Sequence, residues 1–319
     1  MTLPDYDARE PIPLPAQGAW APSVHWLQPE DAVALRAAEA CGRPLLIRGR
    51  PGTGKSQTAR AAAAAAGRPL LSVVIDARTE AQDLMWRFDA VRRLADAQAT
   101  PHRRGRLKPE AAYVKPEALW WAYAWDGACR WLQRSGQADL PPVACPAKWS
   151  AAADRAVLLI DEIDKADPDL PNALLDVLAN NGFRMPFGGG QVSCEAAQRP
   201  LTIITTNEER ELPAAFLRRC LVLRLDLPKE ELAFCNRLET VGQQHQDLRL
   251  TSEPHARCTV LREAAQRLWA TRQALGEDAE HLPGQAEYLD LVAALARLYP
   301  AGEQGAALES LDGLFFHKR

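Results

Sequence analysis

The chain has no apolar run of about 18 residues, the length a helix needs to cross a bilayer, so no membrane-spanning helix is expected. Its first residues are acidic and proline-rich rather than basic and then apolar, so no secretory leader is expected and the protein is expected to be soluble and cytoplasmic. Net charge is nearly absent as well: 38 Lys and Arg against 41 Asp and Glu leave −3 at pH 7. That argues against a nucleic-acid-binding protein as a whole, since such proteins carry strongly basic domains or stripes. The seven cysteines (Cys41, Cys129, Cys145, Cys194, Cys220, Cys235 and Cys258) are odd in number and contain no C-x-x-C pair, so they read as reduced thiols. At 319 residues and 47% hydrophobic, the chain is long enough for a well-filled core and a smaller second domain.

What is present is Gly49-Arg50-Pro51-Gly52-Thr53-Gly54-Lys55-Ser56, which fits G-x-x-x-x-G-K-[ST] at every fixed position. Leu45, Leu46 and Ile47 before it read as a short buried strand. The alanine run Ala59 to Ala66 after it reads as a helix closed by Gly67. A glycine loop between a strand and a helix N-terminus brings backbone N–H groups close to phosphate oxygens, with the helix dipole adding positive potential. Lys55 would neutralise the β and γ phosphates, and Ser56 would place its hydroxyl on Mg²⁺, a hard cation that prefers oxygen ligands. The expected nucleotide-binding set is therefore Gly49, Pro51, Gly52, Thr53, Gly54, Lys55, Ser56 and Gln57, joined by Asp161 further along the chain.

Around that loop, prolines 4, 11, 13, 15, 22 and 29 make residues 1–29 an extended arm, whose end Trp20, Val24, Trp26 and Leu27 would tie onto its own chain or, as the alternative, onto a neighbouring subunit. Pro29 to Cys41 reads as a helix, and Leu70 to Ile75 as a second buried strand. Thr79-x-x-Gln82 resembles a capping box, and the spacing of Leu84, Phe88, Val91 and Leu94 predicts an amphipathic helix after it. Arg103, Arg104, Arg106 and Lys108 form a basic cluster. A solvated loop is the plain reading, and contact with an acidic partner or nucleic acid the sharper one. A helix from Pro116 to Leu132 carries Trp120, Trp121, Tyr123, Trp125 and Trp131, whose crowding favours packing over base stacking.

A third buried strand, Ala156 to Ile160, ends in Asp161-Glu162, where a parallel sheet presents its carboxyl edge to ligand. Asp161 would hold the Mg²⁺ shell and Glu162 would orient the attacking water, which needs positioning more than strong basicity. The plain alternative is an acidic strand end with Asp164 and Asp167 as solvated neighbours. Asp167-Pro168 opens a helix with Leu170, Leu174, Val177 and Leu178 on its buried face, and Gly182 to Gln191 suggests a hairpin or loop. A fourth strand, Leu201 to Thr206, delivers Asn207 at its end. Arg218-Arg219 precede a fifth strand, Leu221 to Leu225. Such arginines are either salt-bridged or reach a neighbour's γ-phosphate.

The ordered set of phosphate loop, Ile160-Asp161-Glu162, Asn207 and Arg218-Arg219 resembles an AAA+ ATPase. Residues 158–167 and 206–220 further resemble MoxR-type bacterial members, and the similarity spans about residues 30–228. The resemblance implies a five-stranded αβα P-loop core at 30–228 and a helical lid at 229–319. It also implies a ring, usually a hexamer, with ATP between protomers. By that comparison Asn207 matches sensor 1 and Arg219 the trans-acting finger, with Arg218 as the alternative. The lid departs from the pattern: no arginine near Leu282-Pro283-Gly284-Gln285-Ala286 matches sensor 2, and Arg297 lies far along. The expected function is Mg²⁺-dependent ATP hydrolysis that remodels a protein client, the resemblance implying metalloenzymes or von Willebrand A-domain partners. A slow nucleotide-gated switch in defence or signalling, a nucleic-acid-dependent motor and a small-molecule kinase are the rivals.

Overall fold

The computed structural model describes residues 4, 6, 10–103, 107–136, 141–151, 155–245, 254–276, 279, 282–300 and 302–316. They fall into two compact units. One comprises Met1–Asp7, Gln28–Arg48 and Ala59–Leu223, and the other Ala8–Leu27, Gly49–Thr58 and Arg224–Arg319. Among the described residues no helix is long and apolar enough to cross a membrane.

The first unit is built on a five-stranded parallel sheet flanked by helices, with further helices following at the C-terminal end of the chain. Its strands are β1 (Leu45–Arg48), β2 (Leu70–Val74), β3 (Val157–Asp161), β4 (Leu201–Thr206) and β5 (Leu221–Arg224), in the order β5-β1-β4-β3-β2. β4 is buried along its whole length and β3 up to its last residue, which explains why neither alternates between apolar and charged residues. β4 lies parallel to β1 with Thr206 opposite Arg48, and parallel to β3 with Ile204 opposite Ile160. β2 lies parallel to β3 with Val74 opposite Asp161. The carboxyl ends of β1, β3 and β4 therefore emerge along one edge, where open α/β sheets bind ligands.

Between β2 and β3 the chain departs from its spacing. A five-residue helix, Ala81–Met85, capped by the Asp83 carboxylate on the Glu80 N–H at 2.9 Å, gives way to a strand, Trp86–Phe88, antiparallel to Val114–Pro116. A new helix, Ala90–Arg103, follows. The cause is tertiary: the Phe88 ring packs on Tyr113 and Phe187, with centroids 6.4 and 5.4 Å away, while Val91 and Leu94 face solvent. The tryptophan-rich segment is likewise two helices, Ala118–Tyr123 and Trp125–Ser135, broken at Ala124. Trp120 and Trp121 are 2% and 3% exposed, and Trp121, Trp125 and Trp149 meet edge to face with centroids 5.1 and 4.9 Å apart. Rings consumed in this way are core, not a stacking platform. Of the basic cluster, Arg104 and Arg106 lie outside the described residues, and Lys108 donates to the Ser135 carbonyl at 3.1 Å.

In the second unit four helices, Glu231–Gln244, Pro254–Leu275, Gln285–Leu298 and Gln304–Phe316, enclose a core of Phe234, Leu238, Leu261, Leu268, Tyr288 and Leu308. The proline-rich arm forms a small antiparallel ribbon, Ile12–Leu14 against Ser23–His25. Among the described residues all seven cysteines are free, and burial pushes the Cys220 thiol up to about 12, so it stays protonated.

Candidate functional site

β1 runs straight into the glycine loop, and the loop runs into the helix Lys55–Ala66. The loop closes on its own lysine. The Lys55 ammonium is only 7% exposed and donates to the carbonyls of Gly49 at 2.7 Å and Arg50 at 2.9 Å. A buried ammonium is costly unless oxygen acceptors surround it, and here the loop backbone supplies two of them. Thr53 donates to the Arg50 carbonyl at 2.9 Å and braces the same arch.

Two glycines are required by close approach as well as by conformation. Gly54 has φ 96°, and a Cβ there would meet the His25 ring at 3.2 Å. Gly52 has φ 76°, and a Cβ there would meet the Ala286 methyl at 3.1 Å. His25 also lies 3.4 Å from the hydroxyl of Thr58, itself fully buried in the first turn of the helix. The N-terminal arm thus supports the phosphate loop of its own chain. Ser56 and Gln57 follow Lys55 in that first turn, where the positive end of the helix dipole favours an anion. A glycine cradle, a central ammonium and a serine hydroxyl are a donor set that fits a triphosphate with Mg²⁺.

The helix opening with Gln285 begins beside the loop, at Gly52, and the residue it brings there is Ala286, not an arginine. Arg297 lies 13 residues along that helix from Gly284, about 20 Å at 1.5 Å per residue. A cavity of about 220 Å³ is lined by Arg50, Pro51, Thr53, Arg224, Trp269 and Arg272, among others. Arg272 is held over the Phe234 ring, 5.6 Å from its centroid, and donates to the Pro283 carbonyl at 2.5 Å.

The carboxylates gather at the sheet edge of the other unit. Asp161 is the last residue of β3, and Glu162 turns into the left-handed region at φ 62°. One buried hydroxyl sets both. Thr205, fully inaccessible in β4, donates to the Asp161 carboxylate at 2.5 Å and accepts the Glu162 backbone N–H at 2.9 Å. Glu162 then receives the Asn207 amide on Oε1 at 3.4 Å and the Lys165 ammonium on Oε2 at 2.7 Å. That ion pair is the first cause holding the Lys165 ammonium above the usual lysine range.

Asp164 is buried, not solvated as the plain reading of the acidic strand end has it. It is 3% exposed, and its Oδ2 accepts the backbone N–H groups of Asn207 at 3.1 Å and Glu209 at 3.0 Å. Arg48 at the end of β1 pairs with Glu208 at 2.6 Å. Asn207 is therefore placed by three moorings, and its amide meets Glu162 for that reason.

Thr205 and Asp164 are absent from the sequence-derived site, although a threonine inside the apolar run Leu-Thr-Ile-Ile-Thr-Thr was the available signal. Thr205→Val, which keeps the shape and removes the hydroxyl, is expected to cost about 1–3 kcal/mol of stability by denaturant titration. It should also slow phosphate release by about tenfold or more, because the Asp161 carboxylate and the Glu162 backbone lose their shared anchor. Unchanged turnover would assign Thr205 to packing alone.

Arg218 and Arg219 stand exposed just after the short helix Ala214–Leu217, which Phe216 pins to the core. Among the described residues neither guanidinium forms an ion pair, so the salt-bridged reading of these arginines does not hold there.

No curated protein matches the chain. A crystal structure of a candidate ATPase from Cytophaga hutchinsonii aligns over 90% of this chain and 79% of its own at 13% identity, with a TM-score of 0.38. The AAA domain of the dynein-related subfamily matches residues 44–220, more than half of the sequence, from just before β1 to just before β5. The chain therefore belongs to the AAA domain family, in its dynein-related subfamily.

Proposed function

We propose that the protein is a Mg²⁺-dependent ATPase of MoxR-like AAA+ type that hydrolyses ATP in a ring, usually hexameric in such proteins, to remodel or activate a protein partner. The observation that carries this reading is the Glu162 carboxylate hydrogen-bonded by the Asn207 amide beside the Thr205-anchored Asp161. Water activation for phosphoryl transfer needs such an oriented carboxylate, and the amide can hold both it and the γ-phosphate. The Lys55 ammonium and loop N–H groups bind the β and γ phosphates, Glu162 aligns water for in-line attack, and Asn207 steadies both. Ser56 and Asp161 would hold Mg²⁺, which supplies neutralising charge to the phosphate oxygens when bound. Arg219, or Arg218 beside it, serves the site of an adjoining copy. Residues 1–29 act as a supporting arm, 30–228 as the core and 229–319 as the lid. The client belongs to the protein class, von Willebrand A-domain partners included, and the setting is the cytoplasm.

The reading is tested by Mg²⁺-dependent phosphate release measured against protein concentration, with native mass measured in ATP. Specific activity is expected to rise as rings assemble. Full activity from a monomer would remove the cooperative half of the proposal.

A second reading, a slow nucleotide-gated switch, is favoured by one feature. The Lys165 ammonium holds an oxygen of Glu162 that water activation would use. Lys165→Met is expected to raise basal turnover several-fold if this pair restrains Glu162, measured without any partner. A fall in turnover would make Lys165 a supporting residue instead and remove the ground for the switch.

A further inference from the structure

We infer that Arg43 is the positioning residue that holds the Arg218–Arg219 turn to the start of β1, an inference that rests on reading that turn as the trans-acting element. Arg43 lies in the link Gly42-Arg43-Pro44 between the helix Pro29–Cys41 and β1, 175 residues before Arg218. Its Nε donates to the Arg219 carbonyl at 3.1 Å, and its Nη2 donates to the Cys220 carbonyl at 3.1 Å and to the Arg218 carbonyl. Three successive carbonyls following a helix end thus converge on one guanidinium. Carbonyls just past a helix end have no intrahelical partner, so a side chain with several N–H donors is the group that satisfies them. Next door, the Pro44 carbonyl accepts the Leu221 N–H at 2.8 Å.

The same link is fixed from the other direction. Arg199, two residues before β4, donates to the Gly42 carbonyl at 2.8 Å. The finger turn is therefore tied to the first residues of β1, the strand that continues into the phosphate loop, and not to a free surface loop. A cavity of about 290 Å³ at this point is lined by Arg43, Arg199, Arg218 and Arg219 together with Leu175 and Leu178, and no carboxylate lines it. Four like charges without a counter-charge favour the outward, exposed setting that Arg218 and Arg219 show. Only arginine can do this work: its planar fork presents five N–H donors in different directions, whereas lysine offers one nitrogen.

The test is subunit mixing. Arg43→Ala alone is expected to turn over ATP about tenfold or more slowly, with unchanged affinity for a fluorescent ATP analogue, because a misplaced group costs rate rather than ground-state binding. Mixed with Glu162→Gln subunits, whose own sites are dead but whose Arg218 and Arg219 are intact, it should recover at least half of the rate expected for its share of working sites. Arg43→Lys should show the same pattern in smaller measure, and its melting temperature checks that both variants are folded. An Arg43→Ala protein with normal turnover, or a slow one that mixing does not restore, would overturn the assignment, since Arg43 would then be idle or act on its own site. The Arg218→Ala/Arg219→Ala double variant is mixed in parallel. If Glu162→Gln subunits fail to restore it, the trans-acting reading itself falls, whatever Arg43 does.

Discussion

Glu162→Gln is expected to bind ATP with Mg²⁺ as tightly as the wild type and to release phosphate at least about 100-fold more slowly, close to 3 kcal/mol of barrier. The amide is isosteric and accepts one hydrogen bond, so the Asn207 contact at 3.4 Å survives. What disappears is the charge. A neutral amide cannot polarise water and no longer attracts the Lys165 ammonium, now 2.7 Å from the carboxylate. Phosphate release under steady state and equilibrium binding of a fluorescent ATP analogue separate the two effects. Retained turnover would move the water-activating role to another residue.

Lys55→Ala is expected to weaken ATP binding by about 100-fold or more, roughly 2.7 kcal/mol, again by equilibrium binding. The lost phosphate charge is one part of that. The other is the loop, because the Gly49 carbonyl that now accepts the ammonium loses that donor while the Arg50 carbonyl keeps only Thr53, and an unsatisfied buried acceptor costs about 1–3 kcal/mol. Lys55→Arg should not rescue binding, since an arch built around one nitrogen has no room for a planar fork. Affinity unchanged by Lys55→Ala would detach the loop from the nucleotide.

The parts of the site that the sequence made legible are those whose chemistry is local. The loop from Gly49 to Ser56 needs its residues at fixed spacing because backbone and ligand meet there. Asp161 and Asn207 stand out because a carboxylate or amide at the end of an uncharged, buried strand of a parallel sheet has few structural reasons to be there. Thr205, Asp164 and Arg43 were not legible, since each acts on a backbone or carboxylate group distant in sequence, 44, 43 and up to 177 residues away. Nothing in the neighbourhoods of Asp164 and Arg43 announces such a partner, and for Thr205 the one hint is a hydroxyl inside a buried strand. The helix expected from Leu84, Phe88, Val91 and Leu94 failed for a related reason. Period counts apolar residues, but the pull of Tyr113 and Phe187 on Phe88 makes a strand where the period sees a turn of helix.

The central claim is that the phosphate loop and the Asp161–Asn207 sheet edge serve one triphosphate. It is tested most directly by a crystal structure of the Glu162→Gln protein with ATP and Mg²⁺. The account predicts a γ-phosphate within hydrogen-bond distance of both the Lys55 ammonium and the Asn207 amide, with Ser56 and Asp161 around the cation. A nucleotide bound by the loop while Asp161 and Asn207 stand clear of its phosphates would contradict it.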